Sequence, residues 1–173
     1  MGGGVTGMKP KNPGERKDAS IGTWGWLLPA AYSIHVVEEG LGGMGLMRWM
    51  AAGGGLHLTT AEFVGVNAAG VAALCGAAWG ARRWIVLRWL LVAGAAIVFV
   101  NGLSHIAVCA VTRSYVSGLY TSIVLYLPLG GILLYRLGRL VPLRLFVPAV
   151  LLGLVIHGAV LWIVLRLPGF VPA

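Results

Sequence analysis

From about residue 21 to the C-terminus, long apolar stretches alternate with short segments carrying glycine, arginine or proline. A run of roughly 20 apolar residues is the length needed for a helix to cross a hydrocarbon core of about 30 Å. The pattern predicts five helices, at about residues 22–41, 58–81, 84–112, 117–137 and 145–166. Pro29 falls inside the first and predicts a tolerated kink. Between the first two lies a Gly-rich connector. In it, residues 44–52 (MGLMRWMAA) predict a short helix at the headgroup level, anchored by Arg48 and Trp49. Residues 1–20 are rich in Gly, Pro, Lys and Arg and lack the apolar positions to bury a core. No small-residue cleavage pattern ends the first apolar stretch, so it reads as a span, not a removable signal peptide. No internal repeat is visible.

The expected fold is therefore all-α: a polytopic membrane helix bundle with five transmembrane helices. Its domains are a disordered basic tail over residues 1–20 and one transmembrane domain over residues 21–173. Composition agrees, with 58% hydrophobic and only 10% charged residues where a soluble domain has about a quarter charged. Gly and Ala crowd the second and third helices, which permits close helix approach. Cys75 and Cys109 lie inside apolar runs and read as packed thiols rather than a disulfide.

The net charge of +8 would suggest a nucleic-acid partner in a soluble protein. Here the basic residues stand between apolar runs, where they act as topology signals. Lys9, Lys11, Arg16, Lys17, Arg82, Arg83, Arg88, Arg136, Arg139 and Arg144 fall on one side of the predicted bundle, against Arg48, Arg113 and Arg166 on the other. That asymmetry predicts a cytoplasmic N-terminus and an outer C-terminus, in a bacterial inner (plasma) membrane. Anionic headgroups are the expected neighbours and nucleic acid is not.

Against this apolar background the acids stand out. Only five Asp and Glu occur, and three of them, Glu38, Glu39 and Glu62, lie in or beside apolar segments. A carboxylate inside a bilayer costs several kcal/mol, about 2.5–3.5 on insertion scales, and marks a functional site by default. On the predicted topology His35, Glu38, Glu39, Glu62, Asn101, His105, Tyr115, Ser117, Thr121 and His157 reach a similar depth in the outer half of the membrane. Residues three and four apart share a helix face, so His35 can point with Glu38 and Glu39, and Asn101 with His105. Imidazoles and carboxylates at such spacing are how helical bundles present ligands to metals, and this donor set suits Zn, Fe or Mn. The candidate ligands are His35, Glu38, Glu39, Glu62, His105 and His157. Glu38, Glu39, Glu62, Asn101 and Tyr115 are candidates for catalysis.

Each has a plainer alternative. Glu38 and Glu39 can be hydrated at the interface. Glu62 can be a helix N-terminal carboxylate following Thr59 and Thr60, favoured by the dipole. His157 and Asn101 can be helix–helix hydrogen bonds. His57, in the connector, reads as solvated. Met44, Met47 and Met50 read as an interfacial stripe rather than a copper site, and Tyr115 as part of an aromatic belt.

The stretch His35-Val-Val-Glu-Glu39 resembles the signature of the HXXEE family, small bacterial integral membrane proteins of unknown function. That pattern also contains a further histidine, which Asn101-Gly-Leu-Ser-His105 resembles. A Tyr-x-Pro-Gly element resembles Tyr115-Val-Ser-Gly118, with Ser117 in place of proline. Gly118 retains the freedom to take an unusual backbone angle. The resemblance spans about residues 24–160 and implies a membrane fold and a site, but no reaction.

The sequence thus points to a metal-dependent enzyme acting on a membrane lipid or hydrophobic small molecule. Two rivals use the same residues: a metal-free acid–base isomerase or terpenoid cyclase, and a proton- or cation-coupled transporter. The oligomeric state is not legible.

Overall fold

In the computed structural model, residues 23–43 and 59–166 are described, with side chains to residue 162. Five helices build the described part and no strand occurs in it. They are α1 Leu27–Leu41, α2 Thr60–Arg83, α3 Arg88–Thr112, α4 Leu119–Gly138 and α5 Leu143–Arg166. The short helix expected over residues 44–52, with His57 and the three connector methionines, lies outside the described residues, as does the tail over residues 1–20.

Local chemistry explains where the helices start and break. A proline ring removes an N–H and clashes with the carbonyl four residues earlier. Pro29 accordingly leaves an irregular turn at Trp26, after which α1 runs regularly. Pro128 would strain the carbonyl of Val124. There the helix widens into a π turn over Ser122–Tyr126 before resuming α geometry. Such turns insert a residue and re-aim the side chains beyond them. Thr59 caps α2, and Trp84 ends it in extended backbone. A 3-10 turn over Ile85–Leu87 then leads into α3.

Four of the helices (α2 to α5) are long and apolar enough to cross a membrane. The fifteen described residues of α1 fall short of that length by themselves. Helix α3 is central and touches the other four. Small residues let the neighbours in. A Cβ added at Gly153 of α5 would stand 2.6 Å from the Ala93 carbonyl oxygen of α3, and one at Gly130 of α4 would stand 2.9 Å from Phe99 Cβ.

The apolar core fills one half of the bundle. Leu28, Ala78, Val92, Val98, Leu137 and Ala149 are all buried there, one or more from each helix. Arg83, Arg136 and Arg139 stack over Trp79, Trp24 and Tyr135 near the same end. Large apolar side chains such as Val64, Val124 and Val155 point outward. Cys75 and Cys109 are both free thiols.

Candidate metal centre

The opposite half of the bundle holds most of the buried polar groups. His35 and Glu39 stand one turn apart on α1, and His105 faces them from α3. Glu39 Oε2 lies 3.8 Å from His35 Nε2, and Glu39 Oε1 lies 3.6 Å from His105 Nε2. The two imidazoles meet edge to face with centroids 4.8 Å apart. One ligand atom from each of the three residues falls within 4.8 Å of the other two. Both histidines are fully buried and Glu39 nearly so. Neither Nε2 has a hydrogen-bond partner among the described residues. At 3.6 and 3.8 Å the contacts to Glu39 are too long to be hydrogen bonds. Two bare imidazole nitrogens and a carboxylate therefore converge on one spot, where a cation would neutralise the charge.

Glu38 does something else. Its Oε1 accepts from the Tyr115 hydroxyl at 2.8 Å and from the backbone N–H groups of Gly118 and Tyr120 at 3.0 and 3.1 Å. Its Oε2 accepts from the Thr121 N–H at 2.8 Å and the Thr121 hydroxyl at 2.6 Å. The first turn of α4 has no cap of its own. A helix start leaves orphan N–H groups and a partial positive charge, and Glu38, reaching across from α1, answers both. The sequence expected Glu38 to ligate with Glu39; in the structure both Glu38 oxygens are engaged by donors and Glu38 lies outside the group formed by His35, Glu39 and His105. Tyr115 is likewise held by this carboxylate. Partial desolvation and the hydrogen bond to Glu38 push its phenol up to about 12.

Gly118 closes the site. Its φ of +93° is a left-handed conformation that other residues resist. A Cβ there would stand 2.5 Å from His105 Cε1 and 2.8 Å from His35 Cε1, so the backbone lies directly against both rings. The Tyr115–Gly118 element is thus the wall of the pocket. Tyr126, from the π turn, stacks on His35 with centroids 4.1 Å apart. Its buried hydroxyl meets no hydrogen-bonding partner among the described residues.

The remaining candidates are not brought in. Glu62 forms a capping box with Thr59 at the exposed start of α2: Glu62 Oε2 accepts from the Thr59 N–H at 2.8 Å, and Thr59 Oγ1 from the Glu62 N–H at 3.3 Å. The dipole-favoured alternative is the one realised. His157 sits against Ser104, its Nε2 3.0 Å from Ser104 Oγ, as a link between α5 and α3. Asn101 is half-buried on α3. Thr121 and Tyr126 carry more of the site than the sequence suggested. No spacing marks Tyr126, because the π turn over Ser122–Tyr126 shifts the helix face on which it falls.

The chain matches, over residues 26–133, the family described as a protein of unknown function with HXXEE motif. It belongs to the HXXEE family. The matched region contains all three residues of the buried group and the glycine that closes it, so the HXXEE signature coincides with the pocket. No curated protein and no solved structure matches the chain.

Proposed function

We propose that this HXXEE protein is a membrane-embedded, metal-dependent enzyme whose divalent ion is held by His35, Glu39 and His105. The observation that carries the reading is the convergence of two unpartnered imidazole nitrogens and one buried carboxylate. Two histidines and a carboxylate make up hydrolytic zinc sites and the facial triad of non-haem iron, both of which leave coordination positions open. Ligands about 2.0–2.1 Å from a zinc ion stand about 3.3 Å apart; the 3.6 and 3.8 Å contacts run to different Glu39 oxygens and the three ligand atoms lie within 4.8 Å of one another, so the side chains would close in on the ion as it binds. A metal held there would supply Lewis acidity and a nucleophilic water at neutral pH.

The protein side does three things. Glu39 offers an oxygen toward each histidine. Gly118 presses both rings into place and keeps bulk away from that side. Tyr126 braces His35 by stacking. A lipid or other hydrophobic small molecule fits the surroundings. A groove of about 310 Å³ between α1 and α4 is lined wholly by apolar residues, and among them Ala31 and Ile34 neighbour His35 on α1. The Lys and Arg asymmetry supports a multi-pass protein of the bacterial inner membrane with the site toward the outer leaflet.

Metal analysis of the protein purified in detergent without chelator tests the reading. One equivalent of Zn, Fe or Mn per chain is expected, falling to background in Glu39→Gln. Absence of bound metal, together with failure to take up any of the three, would overturn it.

A further inference from the structure

The motif carries two adjacent glutamates, and only the second faces the imidazoles as a ligand. The first reaches the same histidine by another route. His35 Nδ1 lies 2.7 Å from Thr121 Oγ1, and that hydroxyl lies 2.6 Å from Glu38 Oε2. A hydroxyl has one proton to give. An O···O distance of 2.6 Å falls in the range of a hydroxyl donating to a carboxylate, and Glu38, surrounded by five donors, is placed to accept. The other acceptor near this hydroxyl is the Gly118 carbonyl at 3.3 Å, which also takes a proton and gives none. In either case Thr121 turns a lone pair toward His35. The proton between them then belongs to the imidazole. A neutral histidine has one N–H and one bare nitrogen, so a proton on Nδ1 leaves Nε2 bare, aimed at Glu39 and His105.

We infer that Glu38 and Thr121 form a positioning relay that fixes His35 as the Nδ1–H tautomer and presents its Nε2 lone pair to the metal. The two glutamates of the motif thereby divide the work: Glu39 ligates, while Glu38 orients the ligand on α1 and fastens α1 to the start of α4. Groups that hydrogen-bond a ligating histidine set its tautomer and basicity, and their loss typically costs 10–100-fold in metal affinity. The use of the bare nitrogen rests on the metal reading above; the tautomer itself does not.

The test uses the full chain, labelled with 15N-histidine and kept free of metal in micelles. Long-range 1H–15N correlations report which ring nitrogen carries the proton, with the His35→Gln spectrum assigning the resonance. Wild type and Thr121→Ser are expected to show Nδ1 protonated and Nε2 bare. Thr121→Val, which keeps the shape and loses the oxygen, is expected to move the proton to Nε2 and weaken Co2+ binding about 10–100-fold. A protonated Nε2 in the wild type overturns the relay. So does a Thr121→Val protein with unchanged tautomer and unchanged Co2+ affinity. If Thr121→Val does not fold, the wild-type and Thr121→Ser spectra still decide. A wild type with the expected tautomer that binds no Co2+ refutes the metal reading and leaves the relay standing.

Discussion

Replacing Gly118 by alanine adds one methyl group at the point where two independent constraints meet. The backbone there is left-handed at φ +93°, and a Cβ would press on both imidazoles at 2.5 and 2.8 Å. The left-handed conformation costs an L-residue about 1–2 kcal/mol. Forcing a methyl into a filled site costs about 1–3 kcal/mol more. Alanine's smaller unfolded-state entropy offsets about 0.4–1 kcal/mol. The net loss expected for Gly118→Ala is about 1–5 kcal/mol. Gly76, exposed in the interior of α2 with open space around it, is the control. Alanine there is expected to gain up to about 1 kcal/mol from helix propensity. Unfolding of both variants in mixed detergent micelles measures the difference, and Co2+ titration reports whether the rings have been pushed apart. The reasoning fails if the two variants are equally stable and Gly118→Ala binds Co2+ with wild-type affinity.

Other changes separate the carboxylates. Glu39→Gln is expected to abolish metal binding, because a neutral amide cannot balance the cation. Glu62→Gln should leave metal content at one equivalent and only weaken the cap of α2; lost metal in Glu62→Gln would contradict its placement at the helix start. The Tyr115 phenol is raised in the folded protein, so the stability its neutral form lends is present below its ordinary value near 10 and is lost as pH climbs toward about 12. The 295 nm tyrosinate absorbance of wild type and Tyr115→Phe should therefore coincide up to about pH 10 and diverge above it; a difference already present near pH 9 would contradict the contact with Glu38. Gly153→Ala should destabilise the α3–α5 pairing, seen as a lower thermal midpoint in detergent, because its new Cβ meets the Ala93 carbonyl.

Much of this arrangement can be read before any coordinates. Apolar run lengths marked all five helices, and the described boundaries fall within a few residues of those expected, because lipid-length periodicity and arginine-bearing breaks are strong signals. The depth argument included His35, Glu39 and His105, which the structure brings together. It could not separate Glu38 from Glu39, since a 100° step around a helix decides which glutamate faces α3 and which faces α4. It also included Glu62 and His157, which the structure places against Thr59 and Ser104, ordinary residues with no signature of their own. Tyr126 was invisible because its position depends on the π turn, and that turn comes from packing around Pro128 rather than from periodicity. Gly118 was legible as an unusual backbone angle, but its contact with both imidazoles required the fold.

The bonds that Glu38 makes also set a schedule for biogenesis. Its donors lie 77 to 83 residues later in the chain. A ribosome adding about 5–20 residues per second needs about 4–16 s to make them. Throughout that interval Glu38 lacks all five of the donors that hold its carboxylate in the finished fold. The place of α1 is therefore settled only once the start of the fourth helix has been made, and chains truncated before that point should be prime targets for quality-control proteases.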